Sequence, residues 1–218
     1  MPETRPADVT TLPAPAGADF ARIRTGIVGA IFFLSGAAAL VYQISWQRLL
    51  FTSFGVDIES VTIVVSTFMC GLGLGAIAGG ALADRFHSRP LVLLALCELG
   101  IGLFGLVSVS FIRALGEVFA TSPRVVVAAV NFGALLIPTS LMGATLPILV
   151  TDMVRRYGGV GVSIGALYFI NTFGAASGAL ALGIGLFAVL ELPQAIAAAA
   201  LVNFTVASGA MLLAWSER

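Results

Sequence analysis

Six long apolar stretches leave this chain one way to fold. They run from about Ile27 to Phe51, Ser60 to Ala83, Leu91 to Phe111, Val125 to Val150, Ser163 to Leu190 and Gln194 to Trp215. Each reaches or exceeds the roughly 20 residues that a helix needs to cross a bilayer. Lipid offers the backbone no hydrogen-bond partners, so a spanning segment must be a helix or part of a closed barrel. The reading is an all-α integral membrane protein, with a six-helix transmembrane domain over residues 25–216. Composition agrees: 59% of residues are hydrophobic and 10% charged, against roughly a quarter charged in a soluble domain. The formal net charge is zero, which gives no reason to expect nucleic acid as a partner. The bilayer itself is the first partner implied.

Residues 1–24 are expected to form a disordered cytoplasmic tail, because 1–19 are rich in Pro, Ala and Thr without apolar period. A cleavable signal is the alternative, since Arg22 and Arg24 precede an apolar stretch containing Ala37, Ala38 and Ala39. That stretch runs on to a length suited to spanning. Pro90, Pro123 and Pro193 mark helix entries, where a missing N–H costs little. All eleven basic residues are arginine. With both termini inside, eight of them face the cytoplasm and Arg48, Arg113 and Arg124 face out, as the positive-inside rule prefers. The expected location is the inner membrane of a bacterium. Residues 112–123, IRALGEVFATSP, are expected to form a short surface helix with Arg113 and Glu117 on one face.

Glu98 lies near the middle of the third span, in LVLLALCELGIGLFGLVSVSF. A carboxylate at that depth is costly and is by default a candidate functional group. Asn171 and Thr172 in the fifth span fall at a similar level. The fourth span contains PTSLMGATLP, where Pro138 and Pro147 each remove a helix hydrogen bond. Thr139, Ser140 and Thr145 are candidates to bond the carbonyls so freed. Such a helix either marks a solute site or is a tolerated kink. One expectation is a polar cavity with Glu98 on its wall and Asn171, Thr172, Pro138, Thr139 and Ser140 around it, able to take a cationic amine or carry a proton. The other is a neutral Glu98 bonded to Asn171 or to a freed carbonyl, joining helices. Gln43 and Trp46 are further polar candidates in the first span.

Helices in lipid associate by close backbone approach. Gly71, Gly75 and Gly79 form one small-residue stripe and Gly174 and Gly178 another. Gly73, Gly75 and Ala78 mimic a dinucleotide fingerprint, but that motif needs a preceding strand and a polar phosphate site. Asp84, Arg85 and Arg89, in GGALADRFHSR, either lock the cytoplasmic helix ends or form a solvated loop. Cys70 and Cys97 have no metal-ligand spacing, and His87 has no ligand partners nearby in sequence. No catalytic residue, metal site or cofactor is expected.

GGALADRFHSR resembles the loop signature between the second and third helices of the major facilitator superfamily. SGAAALVYQISWQRLL, PTSLMGATLPIL and ALYFINTFGAASGAL resemble, in order, the membrane portion of the fused major-facilitator/spermidine-synthase family. The resemblance covers residues 34–190 and implies a six-helix bundle like half of a major facilitator fold. It also implies a link to polyamine-type chemistry. In that family the membrane domain precedes an aminopropyltransferase-like domain, which these residues do not contain, and an acid usually stands where this chain has Gln43. Two functions follow. The first is a non-catalytic membrane subunit or anchor for other membrane subunits or a soluble aminopropyltransferase-like protein. The alternative is a half-sized transporter or binding protein for a small cationic, polyamine-like solute, acting as a homodimer.

Overall fold

The computed structural model describes residues 18–54 and 57–217, and the surroundings of side chains in 22–52 and 61–217. Among the described residues the fold is all-helical: α1 (Ala18–Phe54), α2 (Asp57–Arg85), α3 (Pro90–Val118), α4 (Arg124–Tyr157), α5 (Val160–Ala181) and α6 (Leu192–Ser216). A π turn, Leu182–Leu186, and one more helical turn, Phe187–Val189, continue α5. Counting α5 to Val189, there are six helices long and apolar enough to cross a membrane. These helices point to a multi-pass membrane protein.

The observed helices overrun most of the expected spans. Residues 1–17 of the expected tail lie outside the described residues, and α1 already begins at Ala18, inside the stretch read as tail. The separate surface helix over 112–123 does not form. Instead α3 continues unbroken to Val118, because Ile112 is fully buried and carries the packing face of the span onward. Prolines stand at the entries as expected, with Pro90 at the start of α3, Pro123 as the N-cap of α4, and a proline in the first turn of α6. Helix α4 runs through both Pro138 and Pro147.

Short connections reverse the chain, so the starts of α1, α3 and α5 meet the ends of α2, α4 and α6 at one end, here termed the base. The most extensive contacts are α2 on α4, α1 on α5 and α3 on α6, followed by α3 on α4 and α1 on α6. Exchanging α1–α3 for α4–α6 maps these pairings onto one another. The first two interfaces are built from the expected glycines. A Cβ on Gly71 would collide with the Thr139 side chain, on Gly75 with the Ser140 carbonyl, and on Gly79 with Ala144. Gly143 returns the contact from α4, against the Leu72 backbone. Across the bundle, Gly174 abuts the Phe33 carbonyl and Gly178 the Ala37 backbone. Such proximity supplies the dispersion contact that holds helices together where lipid competes for every apolar face.

Two apolar cores fill the bundle. The base core includes Phe32, Leu94, Ile148 and Val206. The far core includes Tyr42, Trp46, Ile101, Leu135 and Ile196. On α1, α3 and α6 the two cores are separated by the levels of Ser35, Glu98 and Asn203.

Candidate functional site

The site is assembled from one polar residue on each of three helices. Ser35 lies in FFLSGAAAL of α1, Glu98 in α3 and Asn203 in ALVNFTV of α6. Apolar runs on both sides continue each helix through the bundle, and the packing brings the three residues to one level. Glu98 is wholly buried, Asn203 is 1% exposed and Ser35 is 7% exposed. The Ser35 hydroxyl donates to Glu98 Oε1 at 2.5 Å, and the Asn203 amide donates to Glu98 Oε2 at 2.6 Å. Each carboxyl oxygen therefore receives a donor from a different helix. A buried carboxyl needs this, since an unmatched one in so dry a setting costs several kcal/mol, roughly. Asn203 Oδ1 is buried and has no partner.

The other candidates fall elsewhere. Asn171 is half-buried, and its backbone carbonyl and side chain lie against Gly36 of α1. Thr172 is exposed on the outer side of α5. Neither lies among the hydrogen-bond partners of Glu98. Sequence placed Asn171 at a suitable depth, and it shares a face with Gly174 and Gly178, but that face packs on α1 and not on α3, the helix that carries Glu98. Pro138 and Thr139 are buried on α4 and Ser140 is half-buried there. Thr139 Oγ1 is 2.8 Å from Leu135 O and 3.1 Å from Leu136 O, and reaches Thr67 O of α2 at 3.5 Å. Thr145 Oγ1 donates to Met142 O at 2.8 Å. These hydroxyls bond the backbone of the proline-bearing helix and set its contact with α2. Ser140 uses its carbonyl to receive Gly75.

Trp46 is fully buried in the far core. Its ring stacks on Tyr42 with centroids 4.9 Å apart, and its Nε1 donates to Ser108 Oγ at 3.0 Å. Gln43, on the same turn, is half-buried.

A second polar cluster closes the base. Arg24 of α1 and Asp152 of α4 are each 2% exposed and bond at 2.5 Å through Nη2 and Oδ2. Arg24 Nε holds Glu217 Oε1 at 2.6 Å, just beyond α6. Arg156 bonds Asp152 Oδ1 at 3.1 Å and also pairs with Glu217 Oε2. All four carboxylate oxygens are thus engaged by arginine. Asp84, Arg85 and Arg89, for which sequence offered either a lock or a solvated loop, are exposed and enter no ion pair among the described residues, which fits the solvated loop. The helix ends are instead locked by Arg24, Asp152, Arg156 and Glu217. Sequence reasoning missed Ser35, Asn203, Asp152 and Glu217. A signal existed for Asn203, the one amide in α6 beyond its first turn.

Among the described residues no group of three or more His, Cys, Asp or Glu could hold a metal ion. Cys70 is exposed and Cys97 buried, both as free thiols. Compared with known proteins, the chain matches no family model, no curated protein and no solved structure.

Proposed function

We propose that this chain is a non-catalytic integral membrane subunit or anchor, which holds a soluble enzyme or a larger membrane assembly at the bilayer. The observation that carries this reading is the closed state of Glu98. Both oxygens are taken up by donors from α1 and α6 of the same bundle, so the carboxyl joins three helices. A satisfied polar group of this kind specifies which helices pair and in what register. The interlocking pairings of α1 with α5 and α2 with α4 support kinship with half of a major facilitator fold, in which each half carries two nested three-helix repeats. The motifs over residues 34–190 support kinship with the membrane portion of the fused spermidine-synthase proteins. Arginine is denser at the base, with Arg22, Arg24, Arg85, Arg89, Arg155 and Arg156. That bias favours a cytoplasmic base, both termini inside, and a bacterial inner membrane.

The alternative, a dimeric half-sized transporter for a small cationic solute, has one observation in its favour: the unpartnered Asn203 Oδ1 beside the carboxyl. The deciding experiment reconstitutes the full chain and its Glu98→Gln variant in proteoliposomes and measures spermidine and putrescine uptake. The anchor reading expects no uptake from either, and co-purification of one defined partner in mild detergent at fixed stoichiometry. Uptake that E98Q abolishes would establish the transporter instead.

A further inference from the structure

The base carries a cavity of about 310 Å³ between the start of α3 and the ends of α4 and α6. Its wall includes Ser88, Arg89, Arg156 and the paired acids Asp152 and Glu217. Leu91 and Val92 also line it, and their first-turn N–H groups have no intrahelical acceptor. The N-cap residue, Arg89, gives that turn no side-chain cap. A neighbouring cavity of about 200 Å³ shares Ser88, Asp152 and Arg156 and adds His87 and Arg155.

The charges here do not cancel. Asp152 and Glu217 each already accept from Arg24 and Arg156, so their negative charge is matched. Arg89 and Arg155 remain, exposed and outside every ion pair among the described residues. Behind the two acids, Arg24 is 2% exposed and its Nη1 is buried without a partner. The cleft therefore combines the unpaired Arg89 guanidinium, with Arg155 on the adjoining cavity, a hydroxyl and the positive end of a 29-residue helix, a set of groups suited to an oxyanion. Its level in the membrane fits as well. Helix α4 has 34 residues and is about 51 Å long at the usual rise, well beyond the roughly 30 Å hydrocarbon core. Its last turn, which carries Arg156 one turn beyond Asp152, belongs at headgroup depth.

We infer that this cavity binds one phosphate group, as a mono- or diester, at the membrane surface. Arg89 supplies the unpaired charge on the rim, beside the ion-paired Arg156, Ser88 and the first turn of α3 supply neutral donors, and Arg24 holds the paired acids back. Two sources carry this chemistry, a phospholipid headgroup and a free phosphate.

The test uses the full chain, purified and delipidated by detergent exchange. Native mass spectrometry follows phosphatidylglycerol and, separately, diacylglycerol of the same acyl chains. Inorganic phosphate is then titrated as a competitor. One phosphatidylglycerol per chain should bind, and diacylglycerol should not. Arg89→Gln should weaken binding about tenfold, the loss expected for one charge-assisted contact. Arg155→Gln is a second variant outside the ion network and should give a smaller loss. Arg85→Gln, exposed at the same end but outside the cavity, should stay within about twofold of the parent. Displacement by inorganic phosphate would identify a site open to free phosphate, and persistence of the lipid would identify a headgroup site; both support the inference. Equal binding of diacylglycerol, an equal loss in R85Q and R89Q, or no binding of either phosphate source would overturn it.

Discussion

Replacing Asn203 by Leu is the sharpest probe of the mid-bundle site. The change removes the donor to Glu98 Oε2 and leaves that oxygen at a position with no access to water. An orphaned buried acceptor costs about 1–3 kcal/mol in soluble proteins. Interhelical bonds in membranes average about 0.6 and reach about 1.7 kcal/mol, because helices separated in lipid find other partners. The fully enclosed carboxyl places this pair at the upper end, so a loss of about 1–2 kcal/mol is expected. Glu98→Gln behaves differently. Rotating the Asn203 amide would aim its unpartnered Oδ1 at the new N–H, and Ser35 would still donate to the other atom. E98Q should therefore stay within about 0.5 kcal/mol of the parent. The combined Ser35→Ala, Glu98→Leu, Asn203→Leu variant should also be near neutral, since no polar atom is left unmatched. The assay is unfolding by dodecyl sulfate in mixed micelles, read by the fluorescence of Trp46, which is fully buried. If N203L unfolds at the parental sulfate fraction, or E98Q loses as much as N203L, the carboxyl does not join these helices.

Gly174→Leu should split α1 from α5 and cost at least the roughly 1–3 kcal/mol of an overpacked core, because its Cβ position overlaps the Phe33 carbonyl; Gly73→Leu, with nothing within 4 Å, should leave the unfolding midpoint unchanged. Asp152→Asn removes one of the two acid partners of a 2% exposed arginine and should lower thermal stability in detergent by about 2–4 kcal/mol, partly recovered when Arg24→Met is added; an unchanged melting temperature would show the pair to be idle. In micelles a membrane-permeant maleimide should modify exposed Cys70 and spare buried Cys97 until the chain is unfolded, which intact mass reads as one adduct and then two.

The spans were legible because bilayer thickness imposes a length that apolar runs report directly. The small-residue interfaces were legible for a similar reason: Gly71, Gly75 and Gly79 share one face whatever they touch, and all three touch α4. The partners of Glu98 were not. Depth along a helix follows from counting residues, but the face a side chain presents depends on which helices are neighbours. Asn171 and Asn203 both offer an amide near mid-span, and only the pairing of α3 with α6 selects the second. The base lock escaped for a related reason. The charged motif at 84–89 stands out in sequence, whereas Arg24, Asp152 and Glu217 are scattered over 193 positions and meet only when three helix ends converge.

This distribution of polar contacts separates the helices into two kinds. Helix α1 is tied at three levels, by Arg24 to α4 and the end of α6, by Ser35 to α3, and by Trp46 to Ser108 of α3. Helix α5 is not tied in this way. Its serine hydroxyls bond backbone carbonyls within or just before their own helix, Ser163 to Gly158 O and Ser177 to Phe173 O. Among the described residues no side-chain hydrogen bond from α5 reaches another helix. Its hold on α1 is steric, through Gly174, Gly178 and the Phe33–Phe173 ring contact at 5.8 Å, with Arg48 over the Phe187 ring at its far end. The close-packed glycine contacts depend steeply on distance, and the Arg48–Phe187 contact adds an electrostatic tie at one end only. Helix α5 is accordingly the span whose position a partner could most readily reset, and the hydrogen-bonded set of α1, α3 and α6 is the frame it would move against.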